Sequence, residues 1–377
     1  MDRCDVLVMG GGPAGSACAW KLRHAGLDVV VMDKATFPRD KVCAGWITPQ
    51  VVEDLEIDID DYSLTRTFQP ITGFRVGVVG DNDAVDVEYE RPVSFGIRRC
   101  EFDHYLLQRS GARLLTGQAA SKIDRDGAGW IVNDTIRTSM LVGAGGHFCP
   151  VARLLEARTP RATLIAAQEV EFPIDPHERQ AFTIRSEAPE LYFCRDLKGY
   201  GWCFRKQGYM NIGFGKLDSR GLPKQTAEFA EFLEHAGRIP PRLNLRWRGH
   251  AYLLGGEMGR RVVDDSVMLI GDAAGLAYPQ SGEGIRPAIE SGLMAATAIR
   301  RAAGSYKRAS LESYTSDLSK RFGSSLVSRL AARSLPAGIS TALARRLLDH
   351  PWFVRHFVLD RWFLRAQQPA LLQPTFR

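Results

Sequence analysis

The run Asp5–Met9 is short and mostly apolar, and glycines follow it at once, which predicts a buried parallel strand. Small residues then recur through Ala14, Ser16–Ala19, Leu22 and Ala25, predicting a closely packed helix that stops at Gly26. Leu27–Met32 predicts a second strand, with Asp33 at its end. Far downstream, Val267–Ile270 predicts another strand, and small residues from Ala273 to Ala295 accompany a helix starting near Ile285. Between these blocks the pattern alternates. Gln168–Glu171, Ala181–Ile184, Leu191–Cys194, Gly201–Arg205 and Tyr209–Gly215 predict an antiparallel sheet, with a helix over Thr226–Ala236 beside it.

The glycines after the first strand form G-x-G-x-x-G at Gly10, Gly12 and Gly15. In that motif the first glycine makes a tight turn, the second lets the backbone approach a pyrophosphate, and the third lets helix and strand pack closely. The helix N-terminus then offers N–H groups and partial positive charge to the phosphates. Asp33 stands at the distance expected of the acid that takes the ribose hydroxyls. Strand, glycines, helix, strand and acid in this order predict dinucleotide binding, with FAD and NAD(P) both open. After Val267–Ile270 come Gly271 and Asp272, then Pro279, Gly282 and Gly284 opening the helix at Ile285. A carboxylate there can accept hydrogen bonds from a sugar-like chain, and the helix N-terminus can stabilise negative charge.

Taken together the two blocks resemble the FAD-binding halves of the glutathione-reductase-type flavoproteins, which include aromatic hydroxylases, flavin halogenases and geranylgeranyl reductases. The segment RRCEFDHYLL is similar to the R-x-x-F-D stretch of that superfamily at Arg99, Phe102 and Asp103. KVCAGWITP resembles the K-x-C-G-G stretch of the geranylgeranyl reductases at Lys41, Cys43 and Gly45, with Ala44 departing. GYGWCFRKQGYMNIGFG resembles their Y-x-W-x-F-P-K…N-x-G-x-G stretch at Tyr200, Trp202, Phe204, Lys206, Asn211, Gly213 and Gly215, with Arg205 in place of proline.

The resemblance implies an α/β fold: a Rossmann-type FAD-binding domain, a substrate domain on a mixed or antiparallel sheet, and a C-terminal helical segment. It implies FAD held by Gly10, Gly12, Pro13, Ala14, Gly15, Asp33, Lys34, Arg99, Gly271, Asp272, Gly282, Gly284 and Ile285. It also implies an apolar or prenyl-bearing substrate against Tyr200, Trp202 and Phe204, with Cys43 near the reacting centre. The reaction expected is reduction of a C=C bond by flavin hydride. A flavin monooxygenase using O2 and an FAD-holding or protein-modifying partner are the competing readings. Tyr200, Tyr278 and Glu283 are further candidates for the proton the reduction needs. The superfamily's Asp-Gly pair is absent from GAGGHFCPVAR, where Gly145 stands in the Asp position and Cys149 replaces a serine. This leaves NAD(P)H and a reduced carrier protein both open as electron donor.

The discontinuous FAD-binding domain is expected over residues 1–60, 95–160 and 258–310, the substrate domain over 61–94 and 161–257, and a basic helical region over 311–377. The net charge of +6 is concentrated at that end, where arginines interleave with Trp352, Phe353, Phe357, Trp362 and Phe363. Such a helix either packs its aromatic stripe on the FAD-binding domain or lies on an anionic membrane surface. No groove-reading motif accompanies the charge, so no nucleic acid partner is expected. Seven cysteines without a C-x-x-C pair argue against a zinc site or a disulfide framework. With no signal-like N-terminus and no long apolar run, a cytoplasmic protein is expected, with peripheral contact to the membrane as the alternative.

Overall fold

A computed structural model describes residues 1–81, 83–155, 164–217, 220–253, 260–323 and 345–371. The chain divides into two compact units, each assembled from separated stretches. One comprises Met1–Asp40, Cys100–Thr163 and Tyr252–Ser324, the other Lys41–Arg99, Leu164–Ala251 and Ser325–Arg377.

The first unit is built on a sheet with strand order 263–264, 267–269, 136–143, 2–9, 29–33, 113–116. All neighbours run parallel except the edge strand Val263–Asp264. Consecutive residues Val6–Val8, Val29–Val31 and Met140–Val142 are buried, so both faces of the sheet are covered. The helices Pro13–His24 and Ile285–Arg301 pack on each other, and a Cβ on Gly292 would overlap the carbonyl oxygen of Ala14. An antiparallel hairpin, Ile123–Asp126 and Gly129–Val132, extends from the strand Ile136–Gly143.

The second unit carries a seven-stranded sheet in the order 248–253, 164–173, 209–216, 199–206, 190–193, 73–78, 84–88. The sheet is mixed: Glu190–Phe193 pairs antiparallel with Gly199–Lys206 but parallel with Gly73–Val78. A small sheet of Trp46–Ile47, Ser94–Ile97 and Phe68–Ile71 accompanies it. The helix beside the large sheet spans Leu222–His235.

The alternation at Ala181–Ile184 predicts a strand, but the structure has a 3-10 turn at Arg179–Ala181 followed by irregular chain. Phe182 and Ile184 are buried there in an apolar cluster with Ile174 and Met210, so the alternation reflects burial of a loop. Domain edges also differ from expectation. Residues 41–60 and 95–99 group with the second unit, where Trp46–Ile47 pairs with Ser94–Ile97. The helix Arg308–Phe322 groups with the first, where the Tyr314 hydroxyl donates to the carbonyl of Leu269 at 2.8 Å.

The basic C-terminal helix, Pro351–Phe363, belongs to the second unit, not to the nucleotide-motif unit. Its inner side buries Val354, Val358, Leu359 and Phe363 in one cluster with Trp46, Phe193, Trp202 and Phe204. Phe363 lies 5.3 Å from Tyr200 and 5.8 Å from Trp46, ring to ring. Trp352 stays 58% exposed on the outer side. The part of the basic region between 324 and 344 lies outside the described residues. No helix among the described residues is long and apolar enough to cross a membrane.

Truncating a fully buried phenylalanine typically costs about 3–5 kcal/mol. Phe363→Ala is expected to lower the denaturant midpoint of the second unit by a corresponding amount. A change below about 1 kcal/mol would show that the helix does not cover the sheet in solution.

Candidate active site

In the first unit the glycine motif forms a bare cradle. A Cβ on Gly15 would overlap the carbonyl oxygen of Gly10, so the helix can start this close to the strand only with glycine there. Pro13 opens the helix, and no side chain caps its first turn. The Asp33 carboxylate takes the Gly11 N–H at 2.7 Å through one oxygen and the Ala35 N–H at 2.8 Å through the other. Lys34 follows, exposed. Arg39 lies over the cradle, its Nη2 3.4 Å from where a Cβ on Gly12 would stand. It is held there by Asp103 at 3.2 Å and by the face of Phe37. Asp103 belongs to the R-x-x-F-D stretch, and its burial required a cation partner. That signal could have pointed to Arg39, which sequence reasoning passed over.

The downstream block converges in the same unit. The Gly271 N–H donates to Ser291 at 2.9 Å, and a Cβ on Gly284 would stand 3.3 Å from the Asp272 carboxylate. Gly282 donates to the carbonyl of Tyr278 at 2.8 Å. Gly284 precedes the helix, which begins at Ile285. Glu283 accepts the N–H of Arg286 at 3.0 Å and so caps this helix. Below it, fully buried Arg286 and the partly exposed Arg321 both bind Glu290. Gly145 and Cys149 form a packed pair, because a Cβ on Gly145 would meet Cys149 atoms at 3.2–3.4 Å. An aspartate at 145 therefore competes with Cys149 for space. Burial pushes the Cys149 thiol up, away from reactivity.

In the second unit the structure assembles a polar network that the sequence pattern did not reveal. Trp202, Gly213 and Glu169 lie opposite one another across three strands, and Phe204, Asn211 and Glu171 form the next row. Cross-strand partners share a face, so the aromatic strand and both carboxylates lie on one side of the sheet. Glu171 binds Lys206 Nζ at 2.6 Å, Arg98 Nε at 3.1 Å and Asn211 Nδ2 at 3.2 Å. Lys206 is fully buried and also donates to the carbonyl of Ile97 at 2.9 Å. Arg98 stacks on Tyr209.

This network clamps the segment around Cys43. The Cys43 N–H is directed at the Glu169 carboxyl, and its carbonyl accepts from Asn211 at 3.4 Å. Gly45 has φ +67° and its carbonyl accepts from Ile97 N–H at 2.7 Å. A Cβ on Gly45 would overlap the Ile97 carbonyl oxygen and crowd Lys206 Nζ, and with the positive φ this leaves only glycine. Lys41 meets His250 at 2.8 Å. Cys43 itself is partly exposed.

The two carboxyl groups differ in state. Burial raises Glu169 to about 8, and Lys206, the Cys43 N–H and Arg99 only partly oppose it. Burial also acts on Glu171, but Lys206, Arg98 and Asn211 outweigh it and hold that carboxyl below its ordinary value. Arg99 is buried at the start of the helix Arg99–Arg109 and adds positive potential at Glu169. Of the expected substrate wall, Tyr200 is half-buried, while Trp202 is 6% exposed and Phe204 fully buried. The Trp202 ring lies across Gly213, its Nε1 donating to Asn211 at 2.7 Å.

Lys206→Met should destabilise the second unit by about 3–5 kcal/mol at neutral pH, the cost of stranding a buried charge. Glu171, depressed in the folded state, contributes stability that is present above the ordinary carboxylate range and lost as pH falls through its folded value. The variant should therefore lose less further stability on acidification than the wild type. Equal acid slopes in denaturant titrations would contradict this pairing.

A family profile described as an NAD(P)-binding Rossmann-like domain matches residues 8–58. The chain is 31% identical over 317 residues to a menaquinone reductase of Mycobacterium tuberculosis, covering 78% of this chain and 76% of that one. It is 29% identical to a geranylgeranyl diphosphate reductase of Rhodobacter capsulatus, over 85% of this chain and 81% of the relative. A solved structure of a geranylgeranyl bacteriochlorophyll reductase-like protein from Thermoplasma acidophilum superposes with TM-score 0.73 at 21% identity, covering 98% and 93% of the two chains. With the nucleotide cradle and the Cys43 segment in place, the chain belongs to the geranylgeranyl reductase family of FAD-dependent oxidoreductases.

Proposed function

We propose that this protein uses FAD to reduce a C=C bond in a prenyl-bearing substrate. The observation that carries the reading is the Cys43 segment clamped by a proton-bearing polar network on an aromatic sheet face. An apolar chain suits such a face, and saturating an alkene needs a proton as well as a hydride. The names of the relatives in Mycobacterium tuberculosis and Rhodobacter capsulatus point to the same class of chemistry.

Several features of the first unit support FAD as the cofactor. The bare backbone at Gly10, Gly12 and Gly15 and the uncapped helix start at Pro13 and Ala14 suit a pyrophosphate, with Arg39 as its counter-ion. Asp33, oriented by two N–H groups, has lone pairs left for ribose hydroxyls, beside Lys34. Asp272, Gly282, Gly284 and Ile285 suit the ribityl chain and the ring; Arg99 groups with the second unit, and its role toward the cofactor rests on the resemblance alone. When bound, FAD supplies hydride chemistry. The protein's part is to fix the ring, exclude water and deliver a proton.

Gly145 brings no carboxylate to its loop, and Cys149 fills the space. This favours a reduced carrier protein over direct delivery from NAD(P)H. Stopped-flow reduction should be slow with saturating NADPH or NADH and faster with reduced ferredoxin. Rapid reduction by a nicotinamide alone would reverse the choice of donor.

The protein should purify yellow with non-covalent FAD, and Asp272→Ala should lower its flavin content. Chemically reduced protein should be reoxidised by geranylgeranyl diphosphate or menaquinone under strict anaerobiosis, with two hydrogens gained by the product. Turnover only with O2, and a product gaining oxygen, would favour a monooxygenase.

A further inference from the structure

Of the candidate proton sources in the first unit, Glu283 caps a helix, and Tyr278 is buried beside it. We propose that Glu169, whose buried carboxyl sits behind the Cys43 segment on the aromatic face of the sheet, is the acid that protonates the substrate carbon. This rests on the reading of the protein as a C=C reductase.

The geometry supports it in three ways. Glu169 Oε2 is buried and has no hydrogen-bond partner among the described residues, so its proton has no internal acceptor. Glu169 lies in the row of Gly213 and Trp202, and the absent side chain at 213 lets the indole lie across that row. Glu171, two residues along the same face, already carries the negative charge that Lys206 and Arg98 neutralise. A second carboxylate beside it is disfavoured, which keeps Glu169 neutral while substrate binds.

The step balances simply. Bound and reduced, FAD would supply the hydride to one alkene carbon, and Glu169 would supply the proton to the other. Two C–H bonds would form, the C=C π bond and the carboxyl O–H bond would break, and the two electrons would come from the flavin. Glu169 is left as a carboxylate facing Lys206, Arg99 and the Cys43 N–H, with the Glu171 charge opposing it, until water reprotonates it.

The test compares wild type, Glu169→Gln and Glu169→Asp, each loaded with FAD and reduced anaerobically. Flavin reoxidation by geranylgeranyl diphosphate should fall at least ~100-fold in Glu169→Gln, the usual size of a general-acid contribution. Reoxidation by O2 delivers no proton to carbon, so it should fall far less than alkene turnover in that variant. The wild-type rate should decline as pH rises through about 8, and Glu169→Asp should shift that decline. A readout without flavin or substrate accompanies this. A carboxyl with a raised folded pKa contributes stability that is fully present below about 4.5 and lost as pH rises through about 8. Glu169→Gln should flatten that slope in denaturant titrations of the apoprotein.

Geranylgeranyl diphosphate turnover within twofold of wild type in Glu169→Gln, or a wild-type profile flat through about 8, would overturn the assignment to Glu169 alone. Wild-type protein inactive on both geranylgeranyl diphosphate and menaquinone would overturn the reductase reading itself.

Discussion

The ion pair of Lys206 with Glu171 is the contact on which the candidate site depends. A lysine with no solvent exposure is tolerated only if its charge is paired and its other donors are used. Here one donor reaches the carboxylate and another the carbonyl of Ile97, joining the large sheet to the small one. The same ammonium lies beside Gly45, where the Ile97 carbonyl and the positive φ already require glycine in the turn after Cys43. One buried charge thus fixes the partner strand, the position of the Cys43 segment and the state of the carboxyl two residues away.

The C-terminal helix adds the second constraint. An aromatic strand that carries Tyr200, Trp202 and Phe204 on one face cannot leave that face to water. Phe363, Val358 and Leu359 cover it, and the basic residues of the helix fall on the other side. The basic residues of this helix therefore lie on the exposed back of a packing element. Its position also explains why the aromatic rings are more buried than a simple open substrate wall would be.

Much of the first unit was legible in the chain, for a local reason. The strand, the glycines, the helix and Asp33 lie within one short stretch, and their roles depend on backbone shape more than on distant partners. The second unit was less legible because its meaning lies in register. Gln168–Glu171 reads as a strand of an antiparallel sheet, and its pattern does not say what its carboxylates meet. Both faces are buried: Val170 packs in one cluster, and on the other side Glu169 is buried while Glu171 binds Lys206 and Asn211. Lys206 and Asn211 were visible as matches to a family stretch, but their partner was not, since nothing local ties residue 171 to residue 206. Ala181–Ile184 failed in the opposite sense, as a buried loop that mimics a strand's alternation.

Placing two carboxyl groups two residues apart on one strand face forces a division of labour. If both were ionised, the second carboxylate would have to give up its hydration while repelled by the first, and the cations nearby only partly offset that cost. The network resolves this by position. Glu171 lies in the row of Asn211 and is within reach of Lys206 and Arg98, so it keeps the charge. Glu169 lies in the row of Gly213, which brings no side chain, so it keeps the proton. The glycine at 213 thus has two consequences: it makes room for the Trp202 ring, and it denies Glu169 the partner that would ionise it. A polar side chain at 213 would reach the carboxyl and displace the indole, altering acid and apolar wall together. The aromatic lining and the acid are in this sense one feature of the sheet, set by the register of three strands.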